Sequence, residues 1–313
     1  KRVPNVSAPF VDIMKDASNV YISLGTDLFS YKNSIKDIAY NVSDNVTANL
    51  GKHVITGGVS YEYMTFENSF MSSGGPSYYR YASLQDFLDN KAPSFFNVTY
   101  DPANPTGINV PSAKFAQLGV YVQDVWSASD KFKLTYGVRV DKPFYPYTPP
   151  KNAALEAVVF KDEKGNDESF DVSKWPDAKL LVSPRVGFTY DVEGDKSLII
   201  RGGTGLFTGR IPFIWLVNQV GDNGVVRASY TPSGSDLAAI RYTTDRTKYI
   251  PTNPPAVGTS IPSGSSYSAV AKDFKMPQVW KTNLAIDKKL SNTVTLTIEA
   301  LYSKIRNNVY FRN

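Results

Sequence analysis

The stretch Val54-Ile55-Thr56-Gly57-Gly58-Val59-Ser60-Tyr61-Glu62-Tyr63 decides the fold. Ile55, Val59, Tyr61 and Tyr63 share one parity, and Thr56, Ser60 and Glu62 take the other. Successive side chains of a strand point to opposite faces, so this segment is a strand with one greasy face and one wet face. The same alternation recurs downstream. Leu118, Val120 and Val122 repeat it, as do Leu134, Tyr136, Val138 and Val140, then Val186, Phe188 and Tyr190, then Val294, Leu296, Ile298 and Ala300. Opposite them lie Lys133, Thr135, Gly137, Arg139 and Asp141 in one stretch and Thr293, Thr295, Thr297 and Glu299 in another.

Working outward, the pattern predicts nine strands, at residues 19–26, 36–50, 53–66, 113–126, 132–145, 180–192, 197–208, 274–290 and 293–311. Four hairpins close at tight turns: Gly51-Lys52, residues 127–130, Glu193-Gly194-Asp195 and Ser291-Asn292. The other connections, residues 67–112, 146–179 and 209–273, are long and rich in Pro, Gly, Ser and Asn, with helix-like pieces at 81–90 and 211–218. Structureless loops of that length count against a compact soluble domain. Short turns on one rim, long loops on the other and a two-residue period are the signature of an outer-membrane β-barrel, whose apolar parity faces lipid and whose polar parity faces a lumen. The expected fold is therefore all-β, an antiparallel transmembrane barrel wall with long extracellular loops.

Composition agrees. The 313 residues are 42% hydrophobic, with 20 Tyr and 17 Phe, as strands and interfacial aromatic girdles require. The longest apolar run, Phe213 to Val217, is far short of the about 20 residues of a spanning helix. There is no Cys, which excludes disulfides and thiolate chemistry, and the single histidine, His53, rules out a His-rich metal site. The net charge of +5 is spread without a basic block, so nucleic acid is not an expected partner. The chain opens at Lys1 without an apolar leader, so the expectation is a leader already removed or a start partway through a longer protein.

Few residues invite chemistry. Gly202 to Gly209 is glycine-rich but fits neither dinucleotide nor phosphate-loop spacing, and it continues a strand, where glycine permits bends and close packing. His53 stands beside a turn, without a G-x-S-x-G elbow anywhere in the chain. The acidic run 162–168 carries a lysine where a calcium loop needs its second ligand. No catalytic residue, metal site or cofactor is expected. Arg139, Arg185 and Arg201 share the inward parity of three strands, opposed by Glu62, Asp141 and Glu299. These six are the expected lumen residues facing a substrate or a plug. Arg210, Phe213, Trp215 and Asn218 are the expected contacts from the extracellular loops. Trp126, Tyr145 and Tyr147 fit girdle positions.

Several segments carry a family resemblance. Asp44-Asn45-Val46-Thr47 through Leu50-Gly51-Lys52-His53-Val54-Ile55-Thr56-Gly57-Gly58 resembles a hairpin of TonB-dependent receptors. So do Gly119 to Trp126 followed by Leu134 to Asp141, and Ser183-Pro184-Arg185-Val186-Gly187-Phe188-Thr189-Tyr190-Asp191 followed by Leu198 to Phe207. Gly205 to Phe213 resembles the Oar-like branch. The resemblance covers most of residues 19–311. It implies a barrel of about 22 strands occluded by an N-terminal plug, a TonB box, and energy from the TonB-ExbB-ExbD complex; outer-membrane lipid is a further expected partner, and the loop 209–273 is large enough to contact a surface lipoprotein or another envelope protein. The chain departs from that pattern in having no plug and no TonB box, so residues 1–313 are expected to be an interior part of one larger barrel domain. The implied function is import of a solute bound at the bacterial cell surface, without enzyme activity. The alternatives are an ungated porin-like channel and a soluble β-sandwich binding or adhesion module.

Overall fold

The computed structural model describes residues 8–70, 75–105, 107, 110–253, 258, 259, 261 and 267–312. In chain order its elements are β1 (Phe10–Met14), β2 (Val20–Leu24), β3 (Ile35–Leu50), β4 (His53–Asn68), β5 (Tyr78–Tyr81), α1 (Leu84–Leu88), β6 (Phe95–Tyr100), β7 (Ser112–Ser127) and β8 (Phe132–Phe144). They continue with α2 (Ala153–Glu156), β9 (Phe160–Lys161), β10 (Asp167–Glu168), β11 (Leu181–Asp191), β12 (Leu198–Thr208), α3 (Ile214–Gly221), β13 (Ala228–Tyr230), α4 (Gly234–Ala238), β14 (Gln278–Lys289) and β15 (Thr295–Asn307).

Eight strands form one antiparallel meander, β15-β14-β12-β11-β8-β7-β4-β3, without closing into a ring. The tight turns expected from sequence close its hairpins. Gly51 takes φ +63 at the first position of its two-residue turn, the place a type II′ hairpin reserves for glycine. Register keeps each parity on one face across the sheet. Val59, Val120, Val140 and Val182 face one another in a row on one side. On the other side run Gly137, Arg185, Gly205 and Lys281, and then Thr189, Arg201, Ala285 and Glu299. Val120 and Ile298 are 52% and 64% exposed. Rows of bare valine and isoleucine on strands of 11 to 16 residues, long enough to cross a bilayer at a tilt, call for lipid as their solvent.

The first of the nine expected strands, residues 19–26, is corrected. Residues 20–24 are extended, but β2 pairs with β1 and belongs to a second sheet, β13-β6-β5-β1-β2. Five residues cannot span a bilayer, where about 9 to 11 are needed. This second sheet is assembled from three separate stretches, all at the long-loop rim, and β1 and β5 run parallel within it. Its core is aromatic: Val11, Ile13, Tyr79, Tyr81, Phe96, Val98 and Tyr100 are buried with Ile240 and Ile250. Of the expected helices, the one at 81–90 shortens to α1, Leu84–Leu88, and the one at 211–218 shifts by three residues to α3, Ile214–Gly221.

Candidate functional site

Two surfaces converge at the long-loop end of the eight-stranded sheet: its polar face and an apolar cap folded over part of that face. The cap begins where the polar parity turns greasy. Phe66 and Phe115 stand on that parity near the rim, with Phe213 packed between them at 5.0 Å and 4.8 Å between ring centroids. Leu181, Ile211, Leu216 and Met276 complete this buried cluster. Helix α3 therefore lies against the wall.

Polar clamps hold the cap down. Gln219, fully buried, donates from Nε2 to the carbonyls of Val172 at 3.1 Å and Lys174 at 2.9 Å, and its Oε1 accepts from the Val270 amide at 2.7 Å. Arg227 donates to Asp222 Oδ1 at 2.7 Å, and burial pushes the Asp222 carboxyl above its ordinary 3.8 against the pull of that guanidinium. Arg210 forms an ion pair with Glu62.

All six expected lumen residues share the polar face, though their electrostatic partners differ. Arg139 donates from Nε to both oxygens of Asp141 at 3.0 Å and from Nη2 to Ser60 Oγ at 2.9 Å, while Gln117 also donates to Asp141 at 2.9 Å. Arg201 donates to Asp287 Oδ2 at 2.8 Å, and Thr297 donates to Oδ1 at 2.7 Å. Glu299 accepts from Asn283 at 3.0 Å. Arg185 instead lies over the Phe207 ring, 4.5 Å from its centroid, and Lys281 lies 5.9 Å from the same centroid.

Of the loop residues expected to meet a ligand, Phe213 is buried in the cap and Trp215 stacks edge-on against Phe311 at 4.7 Å. The Asn218 carbonyl accepts from the Asp222 amide at 2.7 Å and closes α3. Sequence reasoning missed Lys281, Phe207 and Gln219. The first two share the inward parity already written out for their neighbours, and that parity could have found them; Gln219 carries no such signal.

The apolar face holds one polar group of note. Asp124 lies on the lipid-side parity, three residues from the end of β7. His53 Nδ1 lies 2.7 Å from its Oδ2, and Tyr136 donates to the same oxygen at 2.7 Å. Trp126 stacks on the His53 ring at 5.8 Å. A carboxylate held through one oxygen by a histidine and a tyrosine, beside a tryptophan, suits the headgroup level at the tight-turn rim.

Comparison with known proteins follows the same lines. The family described as outer membrane beta barrel domain matches residues 5–309. Among solved structures, the outer membrane transporter YddB from Escherichia coli superposes with a TM-score of 0.51 at 11% identity, covering 95% of this chain and 29% of that one. The ferric-catecholate import receptor Fiu from E. coli K12 gives 0.45 at 15% identity, with 96% and 37% covered. The FrpB iron transporter from Neisseria meningitidis gives 0.45 at 10%, with 87% and 29% covered. The chain thus spans about a third of the length of these transporters. No curated protein matches the sequence.

Proposed function

Because the chain belongs to the outer membrane beta barrel domain family and lies in the bacterial outer membrane, we propose that it is part of the wall of a TonB-dependent receptor of the Oar-like kind. Such a receptor binds a solute at the cell surface and imports it past a plug with energy from the TonB-ExbB-ExbD complex. The observation that carries this proposal is the cap. Helix α3 and its buried aromatic cluster fold over a polar wall rather than standing clear of it, as suits a barrel that handles a captured solute at its mouth.

The sheet edges support the interior-segment part of the proposal. β3 and β15 each pair on one side only. Unpaired backbone groups in hydrocarbon cost several kcal/mol each, which favours further strands flanking both edges. We assign those strands, the plug and the TonB box to polypeptide outside residues 1–313. A surface lipoprotein resting on the loop-built sheet is a further proposed partner, and no covalent chemistry is assigned.

The test is the denatured mass of the protein purified from its native membrane, run boiled and unboiled, together with solute uptake in cells with and without TonB. A heat-shifted receptor much larger than 313 residues, with uptake abolished without TonB, is the expected result. A heat-shifted barrel whose uptake is independent of TonB would refute the energised mechanism and leave a porin-like channel.

A further inference from the structure

The polar face has a floor without side chains. Gly137, Gly187, Gly203 and Gly205 lie on it in two adjoining register rows: Gly137, Arg185, Gly205 and Lys281 form one, and Thr135, Gly187, Gly203 and Asn283 the other. Gly205 stands directly between Arg185 and Lys281. At about 4.8 Å per strand step the two cations are rooted roughly 10 Å apart, and the bare Gly205 lets the Arg185 stem lean across it, Cγ standing 2.9 Å from where a Cβ would be. Phe207, two residues along the same strand on the same face, forms one wall, with both cations over its ring. Asn283, across from Gly203, stands on the other side. Arg185, Phe207, Lys281 and Asn283 all line one hollow of about 580 Å³.

Charge decides what this part of the hollow accepts. The wall carboxylates nearby are already engaged: Asp141 by Arg139, Asp287 by Arg201, Glu299 by Asn283 and Glu62 by Arg210. Among the described residues, Arg185 and Lys281 have no carboxylate partner. Two positive charges facing one gap repel each other, and an anion placed between them turns that cost into two charge-assisted hydrogen bonds. The Phe207 face holds the guanidinium in place and leaves its N–H edge free to donate.

We propose that Arg185 and Lys281, on either side of Gly205, form a carboxylate-binding site on the inner wall, with Asn283 as an additional donor. The proposal rests on the barrel reading above, and it names the chemistry recognised there. The carboxylate has two sources: a free organic acid in transit, or an Asp or Glu side chain of polypeptide that occupies the lumen.

The experiment uses the full-length receptor purified in detergent at low salt, with citrate as the probe in titration calorimetry and with limited proteolysis alongside. Wild type is compared with Arg185→Gln, Lys281→Gln and the double variant; the single variants guard against a double variant that fails to fold. Saturable citrate binding, weakened about tenfold or more by each neutralisation and retained by Arg185→Lys, supports the free-acid source. No citrate binding to wild type, but new protease cuts outside residues 1–313 in heat-modifiable variants, supports the polypeptide source. Citrate binding unchanged in the variants overturns the proposal, as does the absence of both effects while the heat shift persists. A wild-type protein with no heat shift would instead remove the barrel reading, and the site with it.

Discussion

Arg210, two residues beyond the end of β12, forms an ion pair with Glu62 of β4, although β11, β8 and β7 lie between those two strands. Along the sheet that separation is about 19 Å at 4.8 Å per step, well beyond the reach of one arginine. The pair is therefore a chord across a curled wall, made by a loop that turns inward. It ties the start of the cap to the far side of the polar face.

Breaking that chord should free the start of the cap without unfolding the wall. Glu62→Gln is expected to lower the opening free energy of residues 209–221 by about 1–2 kcal/mol, a figure discounted for the partly exposed arginine. Hydrogen exchange in that segment checks it. Unchanged protection there, with the pair removed, would count against the latch.

The two faces of the sheet should respond oppositely to charge. Val120→Arg, in the middle of β7 and of the valine row, is expected to cost about 2–4 kcal/mol in bilayer unfolding, and Gln123→Arg on the polar parity close to nothing. Equal costs would mean that the faces are assigned wrongly.

Glycine matters for a different reason at two positions. A Cβ on Gly137 would come within 2.6 Å of the Val122 carbonyl oxygen and 3.0 Å of Gln123 Cα, backbone atoms that yield only if β7 shifts. Gly51, at φ +63, has open space around it. Gly137→Ala should therefore cost about 1–3 kcal/mol by overpacking and lower refolding yield into detergent, whereas Gly51→Ala should cost about 1 kcal/mol in backbone strain. The reverse ranking would refute the close approach.

Alkali should open the loop-built sheet before the wall. Burial pushes the Tyr78 and Tyr81 hydroxyls from 10.0 to about 12, and Tyr79 in the same direction. The fold holds the neutral form, so its stabilisation is intact below pH 10 and is lost as pH rises through about 12. Tyrosinate absorbance and proteolysis of residues 75–105 followed over that range should move together, while the heat shift of the barrel persists. Loss of the heat shift first would contradict this order.

The barrel hairpins were legible because two different solvents press on the two faces. Residues 53–66, 113–126, 132–145, 180–192 and 197–208 become His53–Asn68, Ser112–Ser127, Phe132–Phe144, Leu181–Asp191 and Leu198–Thr208. Parity also put Arg139, Arg185 and Arg201 on one face. It could not name their partners, because pairing Arg201 with Asp287 needs the register of two strands 86 residues apart. Nor could it recover β5 and β6. Tyr78–Tyr81 and Phe95–Tyr100 are buried almost throughout, so neither alternates, and the aromatic run Phe95-Phe96-Asn97-Val98-Thr99-Tyr100 was the one local hint.

The five-stranded sheet on the loop rim is stitched from segments near residues 10–24, 78–100 and 228–230. None of these carries the surface alone. Its epitopes are discontinuous. An antiserum raised against any one loop as a peptide should recognise the folded protein poorly, and antibodies selected on the folded protein should fail on a denaturing blot. Sequence drift in one loop is also answerable to the other two, so antigenic change at this surface has to come in matched sets.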